Sequence, residues 1–262
     1  MSHHVRTISV IVRLLLSWST KRSSRCGNMN LLTVKNLFVR IEQKVIIEDL
    51  SFALAPRERL SVLGPNGAGK TVLLKALLKL VPYSGEIIWD PNVRIGYVPQ
   101  KIDADIHLPL TFKDLFLAKC RTLKVSSKEI DEISASVGLT EELIETPVGH
   151  VSGGQFQRGL IGFALIGKPN VLLLDEPTAS IDEPGEENIY ELIHRLQDEF
   201  GLASIMVSHD LSFVFRYATS VLCLNRRGLC LGTPREVLAP DMLEKLYGEP
   251  YSYYQHDHLS QT

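Results

Sequence analysis

The chain has 262 residues, 45% of them hydrophobic and 22% charged, a balance that suits one or two packed domains and excludes disorder as the default reading. No run of eighteen apolar residues is available to span a bilayer, so the chain by itself is not a transmembrane protein. Net charge is −2, and with the five bases that precede Met29 set apart, the remaining 23 face 30 acids; this acidic body argues against a groove that binds nucleic acid by counterion release.

Those five bases (Arg6, Arg13, Lys21, Arg22 and Arg25) belong to a leader, residues 1–28, unlike anything after it. Arg13 splits the apolar runs Ile8–Val12 and Leu14–Leu16, which a secretory signal would keep unbroken, whereas the Arg and Ser content suits a transit-type amphipathic segment better. Met29 stands just ahead of the strand-like Leu31–Val34, and the preferred reading is that translation starts there, with a disordered or membrane-surface leader as the alternative.

Short β-type segments follow at Leu32–Val39, Lys44–Leu54 and Arg59–Leu63, the last running into a glycine-rich turn. Helical spacing begins at once over Thr71–Leu80, with Val72, Leu73, Ala76, Leu77 and Leu80 on one face and Pro82 as the stop. Ile87–Trp89 and Arg94–Val98 read as a strand pair around the turn Asp90-Pro91-Asn92. From Leu110 to about Leu143 the pattern is helical and polar, a helical insertion placed at about residues 101–160. Strand and helix then alternate through Val171–Leu174, Glu186–Phe200 and Ala203–Val207, ending in a hairpin, Val221–Leu231, around Asn225-Arg226-Arg227-Gly228. That alternation predicts an α/β fold, a parallel sheet covered by helices, over residues 29–247, with 248–262 as a flexible tail. Cys26, Cys120, Cys223 and Cys230 are scattered without a CxxC pair, so neither structural zinc nor a disulfide framework is expected, and a reducing compartment fits.

Gly64-Pro65-Asn66-Gly67-Ala68-Gly69-Lys70-Thr71 fits GxxxxGK[ST] between a strand and a helix, the context of a phosphate-binding loop. The glycines let the backbone turn so that amide N–H groups point at phosphate, Lys70 adds a point charge, and the Thr71 hydroxyl suits Mg²⁺. Val171–Leu174 ends in Asp175, which places a carboxylate at the C-terminal edge of a parallel sheet. Glu176 follows directly; two adjacent carboxylates repel unless a cation neutralises one, so Asp175 is assigned to Mg²⁺ and Glu176 to the attacking water. Ser152-Gly153-Gly154-Gln155 heads a helix from Gln155 to Leu165 and is a second phosphate-gripping turn. One phosphate needs one such cradle, so two cradles in one chain suggest a dimer in which each copy caps the other's ATP.

In this order the motifs resemble the ATP-binding cassette (ABC) ATPases over about Leu31 to Tyr247. Gly64–Thr71 matches Walker A, Gln100 the Q-loop glutamine and a Mg²⁺ ligand, Val151–Gln155 the signature, and Leu172–Glu176 Walker B with the catalytic Glu. Asp182 matches the D-loop and His209, in Val207-Ser208-His209-Asp210, the switch histidine. The resemblance implies a RecA-like P-loop core with an antiparallel β subdomain and a helical subdomain bearing the signature.

Arg94–Lys101 followed by Leu108–Thr111, and Val221–Asn225 followed by Gly232–Pro234, are similar to the ATP-binding subunits of bacterial zinc importers within the zinc/manganese/iron importer family. This implies a homodimer that hydrolyses Mg-ATP on the cytoplasmic face of the inner membrane. Its partners would be an integral membrane permease, contacted through Gln100 to Thr111, and a periplasmic or surface zinc-binding protein. Manganese or iron importers are the nearest alternatives, and a soluble ABC ATPase acting on nucleic acid or ribosomes is the rival of another class. Two departures stand out. Ile41 occupies the usual adenine-stacking aromatic position, with Phe38 as a substitute, and Gly159, Gly162 and Phe163 replace a helix former, Ala and Arg, which predicts a less rigid signature helix. The tail's His256-Asp257-His258 is similar to the His-rich ends of zinc-importer ATPases; two imidazoles and one carboxylate are few ligands for a preformed site, so a solvated terminus is the preferred reading and weak zinc binding the alternative.

Overall fold

β1 (Leu32–Ile41) alternates buried Leu32 and Val34 with outward residues, shifts register at a bulge, and buries Leu37 and Val39. It pairs antiparallel with β2 (Lys44–Leu54), Leu32 opposite Leu54 and Ile41 opposite Lys44. β3 (Arg59–Leu63) leaves this sheet and delivers the chain to α1 (Lys70–Leu77). β4 (Ser84–Trp89) returns to the free edge of β1, whereas β5 (Ile95–Val98) joins a second sheet. The expected strand pair is therefore corrected: both strands form, but the turn crosses between sheets, tied by the Asp90 N–H to the Leu31 carbonyl and the Val93 N–H to the Asp90 carbonyl.

This computed structural model describes residues 30–100, 110–179 and 181–247. The leader, residues 101–109 of the contact segment, and the tail with His256 and His258 lie outside the described residues. No helix among the described residues is long and apolar enough to cross a membrane.

The helical insertion comprises α2 (Phe112–Leu123), α3 (Glu129–Val137), α4 (Glu141–Glu145), a short 3₁₀ turn (Val148–His150) and α5 (Gly153–Leu165). β6 (Val171–Asp175), α6 (Glu183–Phe200), β7 (Ala203–Val207) and α7 (Leu211–Tyr217) follow, then β8 (Ser220–Asn225), β9 (Arg227–Gly232), α8 (Pro234–Val237) and α9 (Pro240–Tyr247). The second sheet has the order β5-β6-β7-β3-β8-β9, parallel except for the β8–β9 hairpin. Its central strands β6 and β7 are buried on both faces. Val171 and Leu173 join the core shared with α1 and the antiparallel sheet, while Leu172 and Leu174 join the core shared with the helical insertion and the later helices.

Cys223 and Cys230, expected to be unpaired, face each other across the β8–β9 hairpin as a disulfide with Cα atoms 5.0 Å apart. The seven-residue separation is what a tight hairpin brings into register, so cysteine spacing no longer argues for a reducing compartment. α5 also differs from expectation. A Cβ on Gly159 would lie 2.0 Å from Cζ of the fully buried Phe112, and one on Gly162 would lie 3.0 Å from Cζ of Phe116. The glycines are thus notches that admit two rings. Lys119 of α2 adds a second tie, donating from Nζ to the Phe163 carbonyl at the other end of α5.

Candidate active site

The loop 64–69, Gln100, the Asp175–Glu176 pair and His209 sit where the parallel strands β3, β5, β6 and β7 end. β3 runs into the loop 64–69, in which Gly67 and Gly69 take left-handed backbone angles (φ 80° and 102°) that favour glycine. A Cβ on Gly67 would meet nothing within 4 Å, so the loop opens to solvent there, whereas one on Gly64 would strike the Leu224 carbonyl of β8 at 2.0 Å. The Arg226 N–H donates to the Ala68 carbonyl (3.3 Å), so the β8–β9 turn supports the loop from behind. α1 begins at Lys70, whose Nζ donates to the Gly64 and Pro65 carbonyls at 2.8 and 3.2 Å. Burial lowers the Lys70 pKa, opposed by the charges of Glu176 and Asp175.

Behind Lys70, the Thr71 hydroxyl donates to Asp175 Oδ1 at 2.9 Å. Asp175 ends β6 almost fully buried; desolvation raises its pKa and the Glu176 charge adds to this, against the Thr71 hydrogen bond. Glu176 takes φ 45°, rare for a side-chain-bearing residue, and its N–H donates to the Val207 carbonyl at 3.1 Å. Its carboxylate accepts from Gln100 Nε2 at 2.5 Å, which brings the residue after β5 across to the end of β6.

Lys70, Thr71, Gln100, Asp175 and Glu176 therefore meet around one loop. Hard oxygens from Thr71 and Asp175 at adjacent positions suit Mg²⁺, and the open glycine backbone beside a buried ammonium suits a polyphosphate. His209 follows the end of β7 and is exposed. Asp182 precedes α6, its carbonyl accepting from the Gly185 and Glu186 N–H groups. Ser152 and Gln155 lie on α5 instead and cap it reciprocally, Ser152 Oγ accepting the Gln155 N–H and Gln155 Oε1 the Ser152 N–H. A Cβ on Gly154 would meet nothing within 4 Å, so this turn presents open backbone as well.

Ile41 ends β1, partly exposed; Phe38 lines a groove of about 470 Å³ with Pro82 and Tyr83. Two tyrosines escaped the motif reading. Tyr97 of β5 hydrogen-bonds the Asp175 carboxyl, and burial, followed by that neighbouring charge, raises its pKa. The Tyr190 hydroxyl of α6 accepts from Thr178 Oγ1 and pairs with Ser208 Oγ, each at 3.1 Å. A tyrosine two residues ahead of Pro99-Gln100 was a signal for the first; Tyr190 had none, since α6 merely buries its apolar face.

An ABC transporter family model matches residues 47–179. The zinc import ATP-binding protein ZnuC of Haemophilus influenzae is 40% identical over 236 residues, covering 87% of this chain and 85% of that protein. ZnuC of Cereibacter sphaeroides is 41% identical over 221 residues, covering 84% and 89%. Among solved structures, cbiO1 from Clostridium perfringens, part of the ABC transporter complex cbiONQ, matches with a TM-score of 0.72 at 26% identity over 83% of this chain and 94% of that one.

Proposed function

Because this chain belongs to the ABC transporter ATP-binding family, we propose that it is the ATP-hydrolysing subunit of a zinc importer, working with a separate membrane permease. The convergence of Gln100 and Glu176 beside Lys70, Thr71 and Asp175 carries the ATPase reading. The likeness to zinc import ATP-binding proteins over most of the chain supports the cargo.

In this reading Lys70 exchanges its two loop carbonyls for the β- and γ-phosphate oxygens of ATP, and the N–H groups of 64–71 supply the rest of the cradle. Thr71 and Asp175, with Gln100, would hold Mg²⁺, which when bound neutralises charge on the phosphates. Glu176, held by Gln100 and by its strained backbone, accepts a proton from the attacking water. His209 faces the γ-phosphate. Ser152, Gly153, Gly154 and Gln155 of a second copy, with Asp182 at the dimer seam, close over it. Closure on ATP and reopening after hydrolysis move the permease bound at the membrane's cytoplasmic face, and a periplasmic or surface zinc-binding protein delivers the ion from the other side.

The test is hydrolysis by the purified chain alongside metal accumulation in cells. Glu176→Gln should retain ATP binding while losing roughly 100-fold or more in kcat. Deleting the chain should abolish zinc uptake and growth under zinc limitation, and Glu176→Gln should not restore them. Selective loss of manganese or iron uptake would reassign the cargo, and unchanged uptake of every metal would overturn the importer reading.

A further inference from the structure

The two loops assigned above to the attacking water and the γ-phosphate come from separate strands, β6 and β7, and something must fix their spacing. Val207 holds the Glu176 N–H through its carbonyl. Beyond that, the connection runs through three buried hydroxyls: Thr178 donates to the Tyr190 hydroxyl, which pairs with Ser208 Oγ, and Ser208 Oγ also accepts the Asp210 N–H at 3.1 Å. Thr178 stands two residues after Glu176, and Ser208 immediately precedes His209. Asp210 is fixed in turn, its carboxylate accepting the Ser212 and Phe213 N–H groups that begin α7. His209 is thus an exposed side chain between two anchored neighbours.

The bridge itself cannot drift. Thr178, Tyr190 and Ser208 are at most 3% exposed, and the Tyr190 ring stacks on Phe213 with centroids 3.9 Å apart. Packing alone needs no hydroxyl here: Val, Phe and Ala fill the same volumes without three polar groups to desolvate. The hydroxyls lie where the two loops must keep register.

We propose that Tyr190 is a positioning residue whose hydroxyl locks the loop after Glu176 to the turn carrying His209, and so sets the geometry for ATP hydrolysis. This rests on the ATPase reading above.

The test uses the full chain with Tyr190→Phe, Thr178→Val and the double variant. Tyr190→Phe should lower kcat about tenfold while KM and the affinity for a fluorescent ATP analogue stay within about twofold. Thr178→Val breaks the same bridge from the other end, so the double variant should lose no more than the larger single loss. A lowered melting temperature with unchanged kcat, or losses that multiply in the double variant, would overturn the proposal. If Tyr190→Phe fails to fold, Thr178→Val alone carries the same kcat-against-KM comparison. If the wild-type chain binds ATP without hydrolysing it, the ATPase reading fails by itself. The lock is then read from amide exchange at Asp210, which should quicken about tenfold in Tyr190→Phe and would refute the lock if unchanged.

Discussion

Asp175 ends β6 with its carboxylate buried next to Glu176, and desolvation and like charge both disfavour the ionised form that its proposed role as a Mg²⁺ ligand requires. Asp175→Asn keeps the acceptor for Thr71 and removes the charge, so the nucleotide-free variant should melt a few degrees higher at pH 7 while losing Mg-dependent hydrolysis, measurable by calorimetry and phosphate release. Lys119 presents the opposite charge in the insertion. Burial lowers its pKa to about 7, from an ordinary 10.5. An unfolded chain therefore binds more protons than the folded one between those values, and stability rises with pH across the window. Below about pH 7 both states are charged and the slope vanishes. Lys119→Met should remove that rise, which denaturant titrations at pH 6 and pH 9 would detect as a wild-type gain of up to about 1.4 kcal/mol per pH unit that the variant lacks. The motif residues were legible because their spacing is local; Tyr97 and Tyr190 were not, because their roles depend on which strand ends lie side by side.

At the scale of elements, the signature helix reverses a propensity argument. Interior Gly159 and Gly162 count against a helix by about 1 kcal/mol each relative to Ala. The structure replaces that expected looseness with two ring-filled notches, Phe112 on Gly159 and Phe116 beside Gly162, and the Phe112 and Phe156 rings pack 5.7 Å apart. Gly159→Ala should therefore destabilise by about 1–3 kcal/mol despite its better helix propensity, and Phe112→Leu in the same chain should recover most of the loss. Gly162→Ala, with its nearest neighbours at 3.0 and 3.2 Å, should be close to neutral in the same unfolding experiment. Helical spacing shows which face of α5 is apolar, but not that a ring from the start of α2 needs the space. The same limit explains the misplaced strand pair: adjacent strands with a turn between them look like a hairpin unless one knows that the turn changes sheets.

For the molecule as a whole, alternating strands and helices made the α/β class readable, while the strand order was not. β3, which leads into the phosphate loop, lies between β7 and β8, both formed from the last quarter of the described chain. Behind the loop stand Leu224, from the end of β8, and Arg226, from the turn that follows it. A chain ending at residue 202 lacks both neighbours of β3, and in a cell-free translation it should show no ATP-dependent resistance to protease, whereas the full chain should. The consequence is one of timing. At about 5–20 residues per second, a ribosome that has made Thr71 needs roughly 8–30 s more to reach Arg226. Throughout that interval the nascent chain carries the complete Gly64–Thr71 sequence without the strands that shape it, so nucleotide capture is among the last properties the newborn protein acquires.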